Sequence, residues 1–143
     1  MIVDIEPMIN FCKNYYFEND TVPTSLIVEV ENRPLIAIRL VNFPDNVTDQ
    51  RDVLYEMGKE LALLPKSVCF VYPAIFELSN KKEDVKGFVI NWTDYLGKKC
   101  ILKCFKFVNN KFEEMDTAHI KSDPVLPFFI KGIKANPEIG NPN

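Results

Sequence analysis

The groups in this chain that could do chemistry are one histidine, four cysteines and 20 acidic residues. A metal site would need several of them converging at ligand spacing. Glu113, Asp116 and His119 come nearest, but they match no compact ligand motif and their segment lacks helical periodicity. His119 reads as a solvated turn residue, and no metal ligand is assigned. A cysteine nucleophile needs a base and an orienting group. With one histidine and no local signature around Cys12, Cys69, Cys100 or Cys104, no catalytic residue is assigned. The five glycines (Gly58, Gly87, Gly97, Gly132, Gly140) are scattered, so neither phosphate loop nor dinucleotide fingerprint is present and no cofactor is expected.

Three surface patterns remain. Asp49, Asp52, Glu56 and Glu60 fall on neighbouring helical turns, a solvated face that could also serve as an acidic docking stripe. The stretch Lys98 to Lys111 carries Lys99, Lys103 and Lys106 with no acid, interleaved with Phe105 and Phe107. Basic residues with aromatics on a sheet can hold single-stranded nucleic acid. A bulge near Cys104 would instead send the phenylalanines inward and leave a lysine-guarded edge strand. Trp92, Tyr95 and Leu96 cluster at a hairpin end and, with Tyr16, are the candidate partner contacts. Tyr15, Tyr16 and Phe17 cannot all enter one core, so at least one is exposed or buried in a partner.

The elements that must carry these residues follow from periodicity. Met8, Phe11, Cys12 and Tyr15 mark an amphipathic helix that Asp4 can cap, with Pro7 in its first turn. Leu26 to Glu31 and Leu35 to Val41 are strands around an Asn32-Arg33-Pro34 turn. Thr48 or Asp49 starts a second helix with a Val53, Leu54, Met57, Leu61, Leu64 stripe, ended by Pro65. Gly58 inside it costs about 1 kcal/mol and implies close approach to a neighbouring element. Val68 to Phe76 is a strand covered on both faces, with Pro73 forcing a bulge or an exposed edge. Two further strands hold Phe88, Ile90 and Trp92 and then Lys99 to Val108. Asn109-Asn110 turns into a short last strand, Lys111 to Asp116. Ser122-Asp123-Pro124 opens a final helix, with Pro127 uncomfortable in its first turn.

The fold class is therefore α+β: one mostly antiparallel sheet of five to six strands with helices packed on it, in the order αββαβββ(β)α. In element order alone this looks like profilin-like or roadblock-like domains, which implies a scaffold or dimeric adaptor. Residues 1–134 form a single globular domain, and 135–143 a flexible tail.

Composition agrees with a folded domain: 143 residues, 47% hydrophobic and 12% aromatic, enough for a core without staples. The net charge of −3 argues against a general polyanion binder. The acids gather at one end, six against Lys13 alone up to Glu31. Asp4 and Glu6 follow Met1-Ile2-Val3 without a basic, then apolar, leader, and no apolar run is long enough for a membrane span. A cytoplasmic chain with reduced thiols is expected, in which the sequons at Asn19, Asn46 and Asn91 have no meaning. The functional expectation is a non-enzymatic protein-interaction module (adaptor, chaperone-like or regulatory) that binds another protein or itself as a homodimer. The alternatives are a small enzyme with a dispersed carboxylate or cysteine site, and a single-stranded nucleic-acid binder.

Overall fold

A computed structural model describes residues 5–61, 63–77, 84–96, 99–117 and 125–137. The element order is α1 (Glu6–Asn19), β1 (Ser25–Glu29), β2 (Ile36–Arg39), α2 (Val47–Glu60), β3 (Ser67–Glu77), β4 (Asp84–Asp94), β5 (Cys100–Val108), β6 (Lys111–Met115) and α3 (Leu126–Ala135). This is the expected α+β class with six strands. All pairings are antiparallel, in the order β2-β1-β3-β4-β5-β6. No helix among the described residues is long and apolar enough to cross a membrane.

The two sheet faces are covered unequally. Leu26, Val28, Val68 and Phe70 pack against α2 and α3. The alternate residues Ile27, Cys69, Val71, Phe88, Ile90 and Trp92 pack under α1. Strand alternation sends successive side chains to opposite faces, so apolar residues at consecutive positions of β1 and β3 place helices on both sides. β3 pairs with β1 only from Ser67 to Val71. Pro73 lies beyond that point, exposed, where no strand among the described residues needs its missing donor on that side.

The buried stripe of α1 is Met8, Ile9, Cys12 and Tyr16, rotated from the expected one. Phe11 is exposed and Tyr15 half-buried, because a single helix on a broad sheet has apolar neighbours beyond its central line. Asp4 lies outside the described residues, and Ile5 holds the cap position with no side-chain hydrogen bond. The helix stops at Asp20, whose φ of 60° is left-handed and whose N–H reaches the Tyr16 carbonyl at 2.7 Å.

Asn46, rather than Thr48 or Asp49, caps α2: its Oδ1 accepts the Asp49 N–H at 2.8 Å. The helix ends at Glu60, before Pro65, which leaves Leu64 outside the stripe and 55% exposed. Asn136 closes that end instead. Its Nδ2 donates to the carbonyls of Lys59 at 2.8 Å and Leu61 at 3.4 Å. Ala135 belongs to α3 and Asn136 is buried; 138–143 lie outside the described residues. So do Ser122 to Pro124. α3 begins at Leu126, and Pro127 sits in its first turn, where no intrahelical donor is required.

Gly58 and Gly132 meet where α2 crosses α3. A Cβ on Gly58 would stand 3.1 Å from the Gly132 Cα and 2.9 Å from the Ile133 nitrogen, and closer still to the Phe129 carbonyl oxygen. A Cβ on Gly132 would press on the Tyr55 carbonyl. The obstructing atoms are backbone, which cannot rotate away. Gly58→Ala is therefore expected to destabilise the domain by about 1–3 kcal/mol in a urea melt, because overpacking outweighs a helix-propensity gain of about 1 kcal/mol. A neutral or stabilised variant would show that the two helices separate freely.

Candidate functional site

The two sheet edges differ. β6 carries Lys111, Glu113 and Glu114, and its acids pair with β5: Lys103 Nζ to Glu114 at 2.7 Å and Lys106 Nζ to Glu113 at 3.3 Å. Charges of this kind discourage strand addition. β2 reads Ile36-Ala37-Ile38-Arg39, and Arg39 makes no ion pair among the described residues.

The register of β2 fixes which of its backbone groups are open. The Leu40 N–H donates to the Thr24 carbonyl at 2.8 Å. Antiparallel pairs alternate between bonded and non-bonded. Leu26↔Ile38 and Val28↔Ile36 are then the bonded pairs, while Ile27↔Ala37 and Ser25↔Arg39 are not. Ala37 and Arg39 therefore point their N–H and C=O groups away from β1, towards the edge on which no strand pairs among the described residues. Both residues are exposed.

The same two residues border a cleft of about 150 Å³. Its floor is Ile27, Val71 and Cys12; Phe11 and Tyr15 of α1 form one wall, and Val22 and Pro23 another. Ala37 contributes only a methyl at the mouth. Ser25, also in the lining, has its hydroxyl donated to the Pro23 carbonyl at 2.8 Å. Arg39 is thus the one charged residue of a mainly apolar lining. A cavity of roughly 150 Å³ with apolar walls accommodates a benzene-sized group.

The thiol in the cleft is not activated. Burial pushes the Cys12 thiol up to about 12, so it stays protonated at neutral pH. Burial raises Cys69 and Cys104 as well. Cys100 is exposed, with Sγ 3.7 Å from the Thr93 hydroxyl. Among the described residues no three His, Cys, Asp or Glu side chains converge on a metal position, and His119 lies outside them. A second cleft lies by the start of α2, lined by Asp45, Gln50, Tyr72 and Asn91. Gln50, Tyr72 and Asn91 there are engaged internally. Gln50 donates to the Pro44 carbonyl at 2.8 Å, and Tyr72, its phenol raised by burial, shares a hydrogen bond with Asn91.

The residues expected to contact partners are separated by the fold. Tyr16, on the buried stripe of α1, is 4% exposed, and Trp92, on the strand face beneath that helix, 6%, so both lie in the core. Tyr95 packs on the opposite side against the α2–α3 cluster, with Lys134 over its ring at 5.3 Å. Leu96 alone of the hairpin cluster stands out, at 63% exposed. Of the three consecutive aromatics, Phe17 is the exposed one. The acids Asp49, Asp52, Glu56 and Glu60 do share an exposed face of α2, with Glu56 3.8 Å from Lys59.

The lysine strand does not form one patch. The β4–β5 register runs unbroken from Gly87↔Lys106 to Thr93↔Cys100, without the expected bulge. Lys103 and Lys106 consequently point to opposite faces, each held by a glutamate of β6. Phe105 is buried and Phe107 packs beside it. Lys99 is exposed at the start of the strand, its N–H donated to the Asp94 carboxylate at 3.3 Å. Sequence reasoning missed Ala37 and Arg39. Their signal was a lone charge in a four-residue apolar strand, which has meaning only once β2 is known to be an edge.

Compared with protein-family models, curated proteins and solved structures, the chain matches none.

Thiol chemistry checks this arrangement. In the native protein a disulfide reagent should label Cys100 quickly and the other three only on unfolding. The folded Cys12 keeps its proton to about 12 against an ordinary value of 9.0. Its contribution to stability is thus full below pH 9.0 and is lost as pH rises towards about 12. The expected slope is about 1.4 kcal/mol per pH unit for each such thiol. Urea midpoints of the wild type and Cys12→Ala between neutral and alkaline pH measure it. A Cys12→Ala profile as steep as wild type would contradict the burial.

Proposed function

We propose that this domain is a protein-binding module that takes an extended segment of a partner onto the β2 edge, with one apolar side chain of that segment in the cleft beneath α1. One observation carries the reading. The residues whose backbone groups face outward, Ala37 and Arg39, are the residues that border the cleft. An added strand would meet open hydrogen-bonding groups and an apolar anchor site in one register, the two components of recognition by strand addition.

β2 is only four residues long, so its outward hydrogen bonds are few and the anchor must supply much of the affinity. A second copy of this chain is a weaker occupant. Pairing β2 with another β2 offers Ala37 and Arg39 as side chains on that face, a methyl too short to fill the cleft and a second cation beside the first. The four free thiols favour a cytoplasmic setting for this activity.

Ala37→Pro is the direct test. It removes an N–H that points outward and leaves the β1–β2 bonds through Ile36 and Ile38 in place. The variant should keep its far-ultraviolet spectrum and lose, in affinity purification from native lysate, the proteins that wild type retains at high salt. A folded Ala37→Pro protein that captures the same set would contradict the reading.

A further inference from the structure

We propose that the segment bound at β2 carries an acidic residue two positions before its apolar anchor. The inference rests on the reading of β2 as the docking edge and adds the chemistry of what docks there.

Three features fix the pattern. First, every pairing in this sheet is antiparallel, and antiparallel ladders are slightly the more stable per residue. A strand added antiparallel to β2 places residue n opposite Ala37 and residue n−2 opposite Arg39. Secondly, side chains directly opposite one another share a face. Residues n and n−2 therefore both lie on the α1 side, where Ile27 faces Ala37 and Ser25 faces Arg39. Residue n meets the open mouth over the Ala37 methyl and can extend onto Ile27 and Val71. Thirdly, Arg39 is the charged residue of the lining and makes no ion pair among the described residues. A carboxylate at n−2 sits beside its guanidinium, whereas a lysine or arginine there is repelled.

The cleft size sets the anchor class. About 150 Å³ bounded by Phe11, Tyr15 and Val22 suits leucine, methionine or phenylalanine. A cross-strand ion pair on an exposed edge is modest, so the acid contributes selectivity more than affinity.

The test uses the full chain and random decapeptides displayed on phage. Selection should enrich peptides with aspartate or glutamate two residues before leucine, methionine or phenylalanine. A synthetic decapeptide of that pattern, followed by fluorescence anisotropy, should bind wild type and weaken about tenfold against Arg39→Glu. Exchanging its acid for lysine should restore binding to Arg39→Glu and weaken it for wild type, a reciprocity that mere loss of structure cannot produce. Enriched peptides that Ala37→Pro abolishes, but that show no acid preference and no charge exchange with Arg39→Glu, would overturn this inference and leave the docking edge standing. Failure to enrich any peptide that Ala37→Pro abolishes would remove both.

Discussion

The contact between Gly58 and Gly132 sets the architecture of one whole side of the sheet. Without side chains between them, α2 and α3 touch backbone to backbone and form one dense layer over β1 and β3. The Asn136 amide then joins the two helix ends by hydrogen-bonding the last carbonyls of α2. That layer buries Leu54, Phe129 and Ile133 completely. Each such side chain contributes about 1.5–3 kcal/mol through removal from water. The side of the sheet under two helices is closed, and among the described helices α1 alone packs on the other side.

One helix cannot cover that face evenly. Tyr16 and Phe17 reach towards β5 and β6, where rings of Phe107 and Phe112 stand 4.9 to 5.5 Å from one another and from theirs. Lys13 lies over the Phe105 ring at 4.9 Å. This aromatic cluster fills the space on the β5–β6 side of α1. On the β2 side, Phe11 and Tyr15 hang above small residues, Ala37 and Ser25, and the cleft is what remains. The same asymmetry distinguishes the edges: β6 is closed by ion pairs, while β2 is bordered by an apolar recess.

Local signals were legible in the sequence because local physics decides them. Asn109 and Asn110 adopt φ of 52° and 61°, the left-handed turn their type favours. Gly58 announced a close approach, since only a missing side chain justifies glycine within such a helix. Pro73 announced a place where β3 lacks a partner on one side among the described residues. The element order and fold class followed from the same reasoning. Tertiary order was not legible. Tyr16 and Trp92 resemble surface aromatics until α1 is docked on the sheet. The lysines of β5 resemble a basic patch until β6 brings Glu113 and Glu114 alongside. Arg39 carries no message until β2 is the outermost strand. Each of these depends on which strand neighbours which, and period-2 alternation is the same for an edge strand and a central one.

The central claim is that β2 accepts another strand through Ala37 and Arg39, and amide hydrogen exchange resolved by residue tests it most directly. In the free protein the Ile36 and Ile38 amides should be protected by β1 while those of Ala37 and Arg39 exchange quickly. With a bound peptide or partner the latter two should slow by more than tenfold and complete an unbroken run of protection along β2. Fast exchange at Ala37 and Arg39 in a saturated complex, with new protection elsewhere on the domain, would contradict the account.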